Sequence, residues 1–99
     1  MHNFESYIQG ITPVVAEFYA DWSDACKLME PVLQEIKEIA GERAITLRLD
    51  IDKNQEIARQ YGIYTVPSVA IFKDGQVIWQ KNGITTAHEI LDHLLLEIE

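Results

Sequence analysis

The sequence predicts a single small α/β domain over residues 1–99, a mixed central sheet of about four strands with helices on both faces. Three observations carry this. Segments with the 3.6-residue apolar period of a helix alternate with strand-like runs along the whole chain. The first two strands flank a long amphipathic helix, and a right-handed crossover makes such strands parallel neighbours. The last two flank Asp74-Gly75, the signal of an antiparallel hairpin.

Taken in order, residues 3 to 9 place Phe4, Tyr7, Ile8 and then Ile11 at helical spacing, with Gly10 as a C-terminal stop. Pro13 to Ala20 is an apolar run rich in β-formers, with its proline at the entry, and reads as a strand buried on both faces. Glu17 interrupts that run with an acid. From Cys26 onward Met29, Val32, Leu33, Ile36, Ile39 and Ala40 recur on one helical face, and Pro31 inside the segment predicts a kink. After Gly41, Ile45, Leu47 and Leu49 alternate with Thr46, Arg48 and Asp50, the pattern of a half-exposed strand. A short helix over residues 54–61 is closed by Gly62. Strands over 68–73 and 76–81 make the hairpin. The last helix opens with the capping box Thr86-Ala-His-Glu89 and presents Ala87, Ile90, Leu91, Leu94, Leu95 and Ile98 on one side.

Composition narrows the function classes. With 99 residues and 47% apolar content the chain holds an ordinary core without staples. A single cysteine excludes an internal disulfide and fits a reducing compartment. The histidines, His2, His88 and His93, show no metal-ligand spacing, so no metal or other cofactor is expected. Sixteen acids against eight bases, with the bases scattered, argue against nucleic acid. No window reaches the roughly 18 apolar residues of a membrane span, and the start, Met1 to Glu5, lacks the cationic and apolar regions of a signal peptide. The expected location is the cytoplasm.

The run Glu17-Phe-Tyr-Ala-Asp-Trp-Ser-Asp-Ala-Cys-Lys27 resembles the active-site stretch of the thioredoxin family: a buried acid, two aromatics, Ala, a polar residue, Trp, then Cys-Gly-Pro-Cys-Lys. Further matches follow in the family's order: Pro31, Leu-Asp-Ile-Asp52, Tyr-Gly-Ile-Tyr-Thr-Val-Pro-Ser68, Phe-Lys-Asp-Gly75 and the lone Gly83. The resemblance spans nearly all of the chain from about residue 11. It implies a thioredoxin fold, a cis Val66-Pro67 bond beside the active-site turn, and an apolar groove of Trp22, Val66, Pro67 and Gly83 that receives an extended segment of a partner protein. Glu17 maps onto the acid that relays protons to the resolving cysteine, and Arg48 onto the lysine that pairs with it. Read from the residues alone, Glu17 and Arg48 form a buried ion pair between neighbouring strands.

Two departures change the chemistry the resemblance implies. Ser23 stands where the family has its attacking cysteine, and thiol–disulfide exchange needs one thiolate to attack and a second thiol to resolve the mixed disulfide. A serine hydroxyl is scarcely ionised at neutral pH and has no histidine beside it in sequence to act as a base. The intervening dipeptide is Asp24-Ala25, with the acid at a helix start, where it favours the helix and opposes ionisation of a nearby thiol. Cys26 occupies the resolving position. One reading makes it a buried, inert core residue; the other has Ser23 cap the helix beside a sulfur that forms a sulfenic acid or a mixed disulfide with peroxide or glutathione. The first leaves a protein of redox homeostasis that has lost dithiol catalysis and keeps its groove for binding; the second makes a single-cysteine redox protein.

The third departure concerns the sheet edge. Family members usually begin with an extra strand covering the edge formed here by residues 45–51, and only thirteen residues precede Val14 in the first strand run. An open edge invites pairing with another chain unless charges protect it. Arg48 and Asp50 are the candidate protectors; the alternative is a homodimer through this edge.

Overall fold

The computed structural model describes residues 4–98, so the expected helix start at Asn3 lies outside the described residues. β1 (Val14–Tyr19) carries five successive buried residues, and such a run is satisfied only in the middle of a sheet covered on both sides. That is where it sits. The sheet order is β2 (Ile45–Asp50), β1, β3 (Ser68–Lys73), β4 (Gln76–Asn82). β2 runs parallel to β1 with Glu17 opposite Arg48 and Tyr19 opposite Asp50. β3 is antiparallel to β1, Phe18 facing Ser68, and β4 antiparallel to β3 with an irregularity between Ile71 and Phe72. Asp74 and Gly75 link the hairpin at φ 54° and 79°, the paired positive values of a two-residue type I′ turn.

Alternation along β1 divides the core into two layers. Val15, with Val69 and Ile71, packs against α3 (Glu30–Ala40) and α5 (Ala87–Leu94) through Leu33, Ile36, Ile90 and Leu94. Val14, Ala16 and Phe18 pack on the other side against α1 (Phe4–Ile8) and the region of α4 (Gln55–Gln60) through Phe4, Ile8, Ala58 and Ile63. The rings of Phe4, Tyr61 and Phe72 meet edge to face at 5.0 to 5.9 Å, which fastens α1 and the end of α4 to β3.

Several expected boundaries are corrected. α1 ends at Ile8, and Gly10 is not in the left-handed region; the turn of the β3–β4 hairpin bonds this segment instead, Gly75 N–H to the Ile8 carbonyl at 2.7 Å and Asp74 N–H to that of Gly10 at 3.1 Å. Ile11 is outside the helix and 75% exposed. The expected kinked helix from Cys26 is two helices, α2 (Asp24–Lys27) and α3. Proline has no N–H and its ring clashes with the carbonyl four residues back, here that of Lys27. α2 therefore closes with short i to i−3 bonds, Leu28 N–H to Ala25 and Met29 N–H to Cys26, and α3 restarts with Pro31 in its first turn, where proline is harmless. Ile39 and Leu95 were expected in the core and are exposed, while Ile98 packs on it beyond the end of α5. A 3₁₀ turn at Gly41–Arg43 precedes β2, whose residues are half-buried on both faces apart from the exposed Arg48.

Candidate functional site

The carboxyl ends of the parallel strands β1 and β2 and the amino end of antiparallel β3 meet at one end of the sheet. After β1 the chain turns through Ala20 to Trp22 and enters α2. The Ser23 N–H bonds the Ala20 carbonyl at 3.1 Å, and Ser23 takes the N-cap position with extended backbone. Its hydroxyl makes no capping bond, so the expected side-chain cap is corrected to a cap by backbone conformation alone. Trp22 is 71% exposed, and its indole N–H donates to Asp52 Oδ2 at 2.9 Å. Parallel pairing of β1 and β2 delivers Asp52 to this place. Sequence reasoning quoted Asp52 as part of a matched run without giving it a role; the strand register is the signal that would have found it.

Cys26 lies in the middle of α2 and is 2% exposed. Sγ is a free thiol. A pocket of about 70 Å³ opens beside it, with Tyr19, Ser23, Lys27 and Arg48 in its lining. Asp24 points away into solvent, within 3.4 Å of Lys27.

Glu17, two residues before Tyr19 on the same face of β1, is fully buried, and its Oε1 accepts from Arg48 Nε at 2.9 Å. Oε2 has no partner. Burial pushes the Glu17 carboxyl above the ordinary carboxylate range, the Glu30 charge adds to that, and the Arg48 hydrogen bond and charge oppose it. The expected buried pair is corrected to a half-buried one, because the Arg48 side chain is 43% exposed and its guanidinium lies 4.0 Å over the Tyr19 ring. β2 is an edge strand, so its outward side chains reach water.

On the other side of β1 the Phe18–Ser68 pairing sets Pro67 beside the chain leaving β1. The Val66–Pro67 bond is cis, Pro67 is buried and Val66 half-buried. Gly83, at φ 95°, donates its N–H to the Pro67 carbonyl at 2.8 Å. A residue with a Cβ is strained at that φ. Ser68 Oγ donates to the Thr65 carbonyl at 2.7 Å and pins the loop. Tyr64, in the same loop, is 76% exposed and was not singled out from sequence. The structure thus joins Pro67 with Gly83, Glu17 with Arg48, and Ser23 with Cys26, while the polar partner of Trp22 is Asp52 on the β2 side. The polar groups at this turn are the Cys26 thiol and the Ser23 hydroxyl. Among the described residues no cluster of ligating side chains suits a metal ion, and no helix is long and apolar enough to cross a membrane.

The sequence model of the thioredoxin family matches residues 1–95. A thioredoxin of Alicyclobacillus acidocaldarius is 37% identical over 81 residues, 82% of this chain and 77% of its own. A thioredoxin-like protein of Synechocystis is 31% identical over 93 residues, 93% of this chain and 89% of its own. Among solved structures, a mutant thioredoxin from Halobacterium salinarum superposes with a TM-score of 0.85 at 29% identity, over 96% of this chain and 82% of that one.

Proposed function

The chain belongs to the thioredoxin family, and from that premise we propose that it is a redox-homeostasis family member without dithiol catalysis, whose groove binds an extended segment of a partner protein. The observation that carries this is the pairing of Ser23 at the helix cap with a single thiol, Cys26, that is 2% exposed. No thiolate stands at the entrance to attack a disulfide, and the one thiol is packed behind it. Trp22, Val66, Pro67 and Gly83 are the binding residues in this reading, with Glu17 an inherited buried acid. A single thiol suits a reducing compartment such as the cytoplasm.

The wild type is expected to be inactive in a protein-disulfide reduction assay, and Ser23→Cys to gain measurable activity. Turnover by the wild type at the rate of a dithiol thioredoxin would sink the proposal.

A second reading is favoured by the pocket of about 70 Å³ beside Cys26, which is lined by Lys27 and Arg48. Here Cys26 reacts with peroxide or oxidised glutathione. Mass spectrometry of the native protein after either reagent separates the two: an unmodified Cys26 supports binding alone.

A further inference from the structure

We propose that two copies of the chain pair through β2 in a two-fold dimer, joining their four-stranded sheets edge to edge. Among the described residues β2 has a strand on one side only. Its ladder to β1 begins with the Ile45 N–H on the Pro13 carbonyl at 2.9 Å and ends with the Ile51 N–H on the Tyr19 carbonyl at 2.8 Å. Alternate residues of a parallel ladder turn their backbone groups to the neighbour. Ile45, Leu47, Leu49 and Ile51 therefore face β1, and Thr46, Arg48 and Asp50 turn theirs to the open edge. Such a row is a template for another strand.

The occupant that fits is a second β2. Two-fold symmetry makes the pairing antiparallel and the patch self-complementary. A register centred on Arg48 opposes two guanidiniums and is disfavoured. A register centred on Leu49 sets Arg48 opposite Asp50 of the other copy, and Asp50 opposite Arg48, so one face of the joint carries two opposite-charge pairs. The other face then sets Leu49 on Leu49 and Leu47 on Ile51, side chains that are half-buried in the single chain. A groove of about 330 Å³ past Phe4, Tyr7 and Ile57 continues that apolar strip.

Both charges have capacity left. Arg48 commits Nε to Glu17, and Asp50 commits Oδ1 to the Asp52 N–H at 2.9 Å, leaving the Arg48 Nη groups and Asp50 Oδ2 to reach across. The Asp50 carbonyl already accepts from Lys53 N–H and Asn54 Nδ2, so the backbone contributes the Asp50 N–H to the Arg48 carbonyl of the other copy, in both directions. A register centred on Leu47 frees more backbone bonds but opposes Arg48 to neutral Thr46 and forms no ion pair. Charge complementarity selects the Leu49 register.

Sedimentation of the full chain up to millimolar concentration is expected to show a monomer–dimer equilibrium. At about 0.15 M salt the Debye length of roughly 8 Å mutes the long-range repulsion between chains of net charge −8. Asp50→Asn keeps an oxygen for the Asp52 N–H while removing the charge, and is expected to raise the dimer Kd about ten-fold, the effect of two exposed ion pairs acting together. Leu49 lies on the two-fold axis in a pair whose Cα atoms approach to about 4.5 Å, so Leu49→Cys is expected to give a disulfide-linked dimer and Leu47→Cys to give none. Monomer at every concentration overturns the proposal. An Asp50→Asn dimer of unchanged Kd, or crosslinking through Leu47→Cys in place of Leu49→Cys, overturns the interface assigned.

Discussion

Glu17 sets the residue scale, because one carboxylate in the middle of an apolar strand governs both a charge balance and a pH dependence. Its Oε1 is bonded to Arg48, and its Oε2 to no group among the described residues. Burial raises its proton affinity in the fold above the ordinary value of 4.5, so between these values the folded chain holds a proton that the unfolded chain has released. The stability this group contributes is complete in acid and is lost as pH rises through the folded value. Glu17→Gln, neutral at every pH, removes that slope. Urea midpoints across pH 4.5 and upward are expected to show the wild type losing stability relative to Glu17→Gln as pH rises; parallel curves would count against a raised Glu17. Glu17 was legible as an acid in an apolar run, and Ser23 and Cys26 through the resemblance of their segment to the family's active-site stretch. The exposure of Arg48 and the Trp22–Asp52 bond were not. Both depend on which strand lies at the sheet edge and on a pairing between segments thirty residues apart.

At the scale of elements, the periodic segments were readable and their ends were not. Pro31 was expected to bend one helix and instead divides two, and α1 is stopped by hairpin amides from sixty residues away, with no glycine cap. A boundary is decided by whichever partner satisfies the last carbonyls and amides, and that partner is often remote. Two caps make the point testable. Thr86 Oγ1 accepts the Glu89 N–H at 3.1 Å, whereas Ser23 forms no side-chain capping bond. Thr86→Ala is expected to cost about 1 kcal/mol, and Ser23→Ala much less. Denaturant titration of the two variants reads the contrast, and equal losses would contradict it.

For the whole molecule, Phe72 is the side chain that ties α1 and the end of α4 to the sheet. It is fully buried on β3 and touches the rings of both Phe4 and Tyr61. Phe72→Ala is expected to cost about 3–5 kcal/mol, lowering the thermal midpoint by about 4–8 °C per kcal/mol in a domain of this size. A loss near that of an exposed position such as Tyr64→Ala would show that α1 and α4 are held by other contacts. By itself the sequence determined the helices on both faces, the parallel first pair of strands and the antiparallel hairpin, because periodicity, crossover handedness and the Asp-Gly pair act through local geometry. It also determined that the chain holds a single cysteine. Only the tertiary structure decided that Cys26 is 2% exposed, that Glu17 keeps one oxygen unpartnered among the described residues and that the Arg48 side chain reaches water, because burial and pairing are set by what arrives from elsewhere in the chain.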